Sequence, residues 1–188
     1  MNAMPEAIAE LHRELGIPSD YARRRGLGFC AEARDLVDVV AANGHAGSTP
    51  TIRLTRDAAD GWRSLHTAAR RDGIELLLLS GFRSIERQTE IIRRKLARGQ
   101  SIESILEVNA APGYSEHHSG RAVDLATPEH PGLEESFAQT NAFTWLSARA
   151  AEFGFTLSYP HHNRHGLRFE PWHWCWQPPL LEVARRTH

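Results

Sequence analysis

Cysteine is almost missing from this chain: Cys30 and Cys175 are the two among 188 residues, so a disulfide framework is not expected, and two free thiols are expected over the single long-range bridge that remains open. Long apolar runs are missing too. The longest aliphatic stretch, Ile74 to Leu79, is broken by Glu75 and falls far short of the roughly 20 residues of a membrane-spanning helix, so no membrane insertion is expected. Neither sign of charge dominates. Lys and Arg number 22 against 23 Asp and Glu, a net charge of -1, and short clusters such as Arg23 to Arg25 are as far as either sign runs. That balance offers no footing for nucleic acid or an anionic membrane. The opening MNAMPEAIAELHRELGIP reads as a short amphipathic helix without the basic flank and apolar stretch of a secretory signal. The expected location is therefore cytoplasmic for the sequence as it stands, or periplasmic if a leader has been removed.

Histidine is what the chain has in excess. Of eleven, eight crowd the C-terminal half: His117, His118, His130, His161, His162, His165, His173 and His188, a distribution that points to metal or proton chemistry. Length fits one hydrophobic core. Periodicity predicts helices over 5–15, 31–42, 57–71, 85–97, 102–108 and 142–153, with Gly73, Gly99 and Gly154 as stops. Strands are expected at Thr51–Thr55, Ile74–Leu79, Arg121–Ala126, Phe155–Tyr159, Leu167–Glu170 and through WHWCW, with a loop over Asn43 to Pro50. The fold class is α+β: a single domain whose small, mainly antiparallel sheet carries the site and is flanked by helices. Residues 1–50 read as an N-terminal helical extension of unknown role, and residues 51–188 as the domain that carries chemistry.

The chemistry starts in YSEHHSGRAVDL. On a strand through Arg121–Ala126, Ala122 and Asp124 share one face while Val123 and Leu125 share the other, so the apolar face packs and Asp124 faces a site. Gly120 and Ala122 lack bulk, which lets the loop bearing His117 fold back toward that carboxylate. A third metal ligand is offered by FEPWHWCW, where His173 and Cys175 lie opposite Trp172, Trp174 and Trp176 at period two. Two imidazoles and a carboxylate suit a catalytic zinc with one position open. Glu170 and His173 reach one site if the chain kinks between them, and Pro171 is the place for that kink. His118 is expected to turn to solvent or to the shell around the ligands, the tryptophans to be mainly core, and His161, His162 and His165 to form a solvated loop at the cleft edge.

SEHHSGRAVD matches the SxHxxGxAxD pattern, and EPWHW the ExxH pattern, of the VanY-type D-alanyl-D-alanine carboxypeptidases, which the chain therefore resembles; SGFRS followed by Gln88 is similar to the family's SGYRSxxxQ, with Phe82 for Tyr. These are zinc peptidases of peptidoglycan stem peptides, in the hedgehog/lysostaphin-like fold group. The resemblance covers Thr51 to Trp176, and paired motifs in the right order are a strong signal. It implies one zinc per chain on His117, Asp124 and His173, with Glu170 as general base. Arg83 would clamp the substrate's terminal carboxylate or the developing oxyanion. Gln88 and Ser115 would contact the peptide, and Trp172 would wall the pocket.

The expected reaction is loss of the C-terminal D-alanine from stem peptides or muropeptides. The expectation leans to an L,D-carboxypeptidase that trims tetrapeptide to tripeptide in cell-wall recycling, since cutting pentapeptide precursors in the cytoplasm would sabotage cross-linking. Alternatives are a D,D-carboxypeptidase acting on pentapeptide, a D,D-dipeptidase or endopeptidase of the same fold, and a peptidoglycan-binding module. A mononuclear iron oxygenase also uses two His and one carboxylate, but would leave Glu170 without a task.

Overall fold

The computed structural model describes residues 4–40 and 51–178, so the expected loop over Asn43 to Pro50 and His188 lie outside the described residues. Its elements run α1 (Glu6–Glu14), α2 (Tyr21–Arg25), β1 (Leu36–Val40), β2 (Thr51–Thr55), α3 (Arg56–Arg71), β3 (Leu77–Ser80), α4 (Ile85–Ala97), α5 (Ile102–Val108), β4 (Ala122–Ala126), α6 (Asn141–Arg149), β5 (Phe155–Leu157) and β6 (His173–Trp176). β1 and β2 pair as an antiparallel ribbon. The other four strands form one antiparallel sheet in the order β3-β4-β6-β5. The α+β class and the small antiparallel sheet stand as expected.

Local chemistry explains the helices. Ser84, Ser101 and Thr140 each accept a backbone N–H at the start of α4, α5 and α6, a favourable N-cap. α3 buries Ala58, Ala59, Trp62, Leu65 and Ala69, an apolar stripe at helical spacing, and ends where Gly73 takes a left-handed φ of +75°. The amide of Ile74 then bonds back to the carbonyl of Ala69, so Ile74 closes the helix rather than opening the strand, and β3 begins at Leu77.

Two cores result. The larger packs α3 and α6 on one face of the sheet, with Val123, Leu125, Leu78, Phe155 and Trp174 at its centre. The smaller joins Leu15, Ile17 and Tyr21 of the N-terminal segment to Ile92, Ile105, Leu106 and Tyr114. β4 is buried along its whole length, so Asp124 lies between a packed face and a site.

Two expectations are corrected. Residues 31–42 were expected to be helical, whereas Leu36–Val40 forms β1, because the β-branched run LVDVV finds a partner in Thr51–Thr55. Leu167–Glu170 is not a strand. Its amides bond singly, Arg168 to the carbonyl of Glu107 and Glu170 to that of Tyr159, and the left-handed Gly166 and Pro171 at its ends prevent a ladder. The segment therefore leaves the sheet and lines a cleft beside it.

Candidate active site

Antiparallel register builds the centre of the cleft. Asp124 on β4 lies opposite Ser80 of β3 on one side and opposite His173 of β6 on the other. The β3–β4 pairing is irregular between Leu78 and Ser80, the kind of bulge that re-aims a strand beside a site. Asp124 Oδ1 then lies 3.0 Å from His173 Nδ1.

His117 arrives from a 3₁₀ turn, Glu116–Ser119. Its Nδ1–H donates to the carbonyl of Gly81 at 2.6 Å, which leaves Nε2 facing Asp124 Oδ2 at 3.2 Å. One ligand atom from each of His117, Asp124 and His173 lies within 4.8 Å of the others, and all three residues are buried. Two imidazoles with the outer nitrogen of each engaged, plus one carboxylate, are a donor set that fits a single catalytic zinc.

Gly120 does more than expected. It takes a left-handed φ of +65° at the end of the 3₁₀ turn, and a Cβ there would stand 2.7 Å from Leu36 Cδ2, while its carbonyl accepts from Thr55. The small residue makes room for the β1–β2 ribbon and also closes the turn that carries His117, its amide on the His117 carbonyl.

Glu170 is set by the expected kink. Pro171 and Trp172 form a turn in which the His173 amide bonds to the Glu170 carbonyl, and this brings Glu170 Oε2 to 3.9 Å from His173 Nδ1. Burial, with Asp124 and Glu116 nearby, pushes the Glu170 carboxyl up to about 7 against the pull of His173 and Arg83. A carboxyl poised near neutrality can take and return a proton.

Arg83 reaches the same space. Its guanidinium donates to Gln88 Oε1 at 3.0 Å and to Ser80 Oγ at 3.4 Å, with Asp124 Oδ2 at 3.7 Å. Gln88 is buried, and its amide nitrogen donates to the carbonyl of Ala110, so its first task is to hold Arg83. Ser115 and Trp172 line the cleft, Ser115 buried and Trp172 half-buried. Trp174 is core, its indole N–H on the carbonyl of Pro171.

Three features escaped the sequence reading. Glu116, beside His117 in the chain, crosses to His173: its Oε2 lies 3.0 Å from His173 Nε2 and also accepts from the Ser158 hydroxyl. Burial opposes its ionisation, but His173 and Ser158 hold its pKa down to about 2. His173, although buried, sits between two carboxylates that raise its pKa to about 10. His118 is fully buried and takes the second of its two expected places, behind the ligands and not in solvent. Its Nδ1–H donates to the Arg83 carbonyl and its Nε2 accepts from the Gly113 amide, so it ties the Arg83 turn to the loop before His117. Lys95 lines the cleft. No sequence spacing announces these contacts, because each spans elements whose pairing only the fold defines. The three loop histidines are mixed: His161 stacks on Phe169 at 3.8 Å, while His165 donates to the carbonyl of Arg25.

With this geometry in place, comparison with known proteins is informative. Residues 51–179 match the family described as VanY, D-alanyl-D-alanine carboxypeptidase. A D-alanyl-D-alanine carboxypeptidase of Enterococcus faecalis (strain ATCC 700802 / V583) is 33% identical over 122 residues, which is 60% of this chain and 44% of that one. The chain spans less than half the length of the curated relatives it matches. Its fold is similar to that of the LD-carboxypeptidase LdcB, with a TM-score of 0.70 and 28% identity over 83% of this chain and 74% of LdcB. It is also similar to the vancomycin-resistance D,D-pentapeptidase VanY from a VanB-type cassette, solved with Zn(II), with a TM-score of 0.60 and 28% identity over 81% and 83% of the two chains.

Proposed function

Because the chain belongs to the VanY family of D-alanyl-D-alanine carboxypeptidases, we propose that it is a zinc carboxypeptidase of peptidoglycan stem peptides, removing the terminal D-alanine from tetrapeptide in the L,D manner. The observation that carries the reading is the meeting of His117, Asp124 and His173 with the Glu170 carboxyl and the Arg83 guanidinium in one cleft of about 520 Å³. Zinc held by the two imidazoles and Asp124 supplies a Lewis acid and lowers the pKa of a water to roughly 7.

The chain's own residues do the rest. Glu170 accepts a proton as water attacks the scissile carbonyl and returns it to the departing amine, so that one water is consumed and a free D-alanine released. Arg83 is already aligned by Gln88 and Ser80, and its fork can hold the terminal carboxylate or the charge that develops on the carbonyl oxygen. Trp172 and Tyr159 wall the cleft and limit access of bulk water. Similarity to LdcB at the higher of the two TM-scores supports the L,D assignment, and the E. faecalis relative supports the D,D alternative.

The test is to incubate zinc-loaded protein with muropeptide tetrapeptide and pentapeptide and follow alanine release by mass spectrometry. Tetrapeptide loss alone supports the proposal, and pentapeptide loss alone replaces it with the D,D reading. Glu170→Ala should retain zinc yet cut roughly 10²- to 10⁴-fold more slowly. Unchanged turnover in that variant would remove Glu170 from the chemistry.

A further inference from the structure

We propose that Lys95 recognises a second carboxylate on the substrate, carried by the side chain next to the scissile bond, so that stem peptides with diaminopimelate in third place are favoured over those with lysine. The inference rests on the carboxypeptidase reading and adds a substrate preference to it.

Three cations line the cleft: Arg83, Lys95 and Arg168. Two are committed. Arg83 is held by Gln88 and Ser80 beside Asp124, and Arg168 pairs with Glu107 at 2.9 Å. Lys95, half-buried, makes no ion pair within 4.0 Å among the described residues, although the Glu170 carboxyl lies near enough to act on its charge. A basic residue in the last turn of a helix also complements the helix dipole, but the exposed Arg94 already serves there. Lys95 instead shares a face of α4 with Gln88, seven residues away, which places it about 10 Å further along the helix axis.

Arg83, aligned by Gln88 and Ser80 beside Asp124, is nevertheless the better placed of the two for the terminal carboxylate. In a carboxypeptidase the scissile bond lies within one residue of the terminal carboxylate, a span of roughly 3.5 Å. Lys95 feels the Glu170 carboxylate alone, whereas Arg83 stands beside both Asp124 and Glu170, so a terminus on Arg83 keeps the bond at the His–Asp–His cluster and leaves Lys95 free. An anion at Lys95 must therefore come from a side chain, and diaminopimelate carries a carboxylate on a flexible arm of three methylenes. The ammonium on the same carbon can turn to Glu134 and Glu135, two acids that line the cleft. Lysine can offer the same ammonium to Glu134 and Glu135 but brings no anion to Lys95.

The experiment uses three tetrapeptides that differ only in the third residue: meso-diaminopimelate, the same residue with its side-chain carboxyl as carboxamide, and lysine. Their kcat/KM is measured on zinc-loaded wild type, Lys95→Met and Lys95→Glu, and their binding to zinc-loaded Glu170→Ala, with and without Lys95→Met, by calorimetry. Wild type should favour the free carboxylate over the carboxamide by about tenfold, the size of one partly exposed charge-assisted contact. Lys95→Met should abolish that ratio, and Lys95→Glu should shift the preference to lysine. The same ratio in Lys95→Met, or no ratio in wild type, overturns the assignment. If no peptide is cut but binding to Glu170→Ala discriminates through Lys95, hydrolysis falls and the recognition site stands. Cleavage of all three at equal rates has the opposite meaning.

Discussion

Glu116 shows how much one side chain can settle at the residue scale. An imidazole that ligates metal through Nδ1 must present that atom deprotonated, and a carboxylate on Nε2 fixes both the tautomer and the ring's direction. Glu116 occupies that position on His173 and is itself held by Ser158. Glu116→Ala should therefore weaken zinc affinity by about 10- to 100-fold, and Glu116→Gln, which keeps an acceptor but loses the charge, should fall between. Competition against a chromophoric chelator reads both, with circular dichroism as the control for folding. Zinc affinity unchanged in the alanine variant would reduce the contact to packing. The meeting of His117, Asp124 and His173 and the kink that brings in Glu170 were legible because a strand alternates faces and because paired motifs constrain chemistry. Glu116 was not, since its partner lies across the β4–β6 pairing, and for His118 the choice between solvent and the shell around the ligands is made by contacts to the Arg83 carbonyl and the Gly113 amide that spacing does not reveal.

At the scale of elements, Gly81 joins the site to the ribbon. A Cβ on Gly81 would stand 2.5 Å from Ile52 Cγ2, 2.8 Å from the Arg53 carbonyl oxygen and 2.9 Å from Leu54 Cδ2. The backbone oxygen cannot give way by rotation, so Gly81→Ala must displace β2 or the turn that carries Arg83. The cost should be about 1–3 kcal/mol, typical of overpacking, and it should be accompanied by weaker zinc binding, because the Gly81 carbonyl orients His117. Thermal unfolding and metal titration of the variant check the two effects together. A lower Tm with intact zinc affinity would show that the turn moves without the histidine. Helices α3, α4 and α5 were legible from caps and apolar stripes, whereas β1 and Leu167–Glu170 depended on whether a partner strand was present. A short apolar run fits helix or strand equally well until its neighbour is known.

Across the whole molecule, the N-terminal segment and the site form one electrostatic and mechanical unit. His12 Nε2–H donates to the carbonyl of Pro112, Tyr21 accepts from the Ala111 amide, and the Cys30 and Ala33 amides donate to the carbonyls of Gly113 and His118. The loop that delivers Ser115 and His117 is thus held from outside the segment that matches the family. Protonation of the site is therefore expected to register in global stability. Burial lowers the pKa of His12 and His118 below 6.5, so both are neutral in folded and unfolded chain above that value and contribute no slope there.

His173 behaves in the opposite way in metal-free protein. Burial disfavours its charge, but Asp124 and Glu116 prevail and raise its pKa to about 10. Its contribution is fully present below the unfolded value of 6.5 and is lost as pH rises toward 10, because the folded state then holds a proton that the unfolded chain has released. Glu170, raised to about 7, acts in the same direction below neutrality and is largely ionised beyond it. The Tm of metal-free protein should therefore fall between pH 7 and 9. Zinc requires His173 to be neutral, so its binding expels the proton, removes that slope and stabilises the fold more strongly as pH rises. Scanning calorimetry of metal-free and zinc-loaded protein across this window should give diverging curves. Parallel curves would mean that His173 is already neutral before the metal arrives.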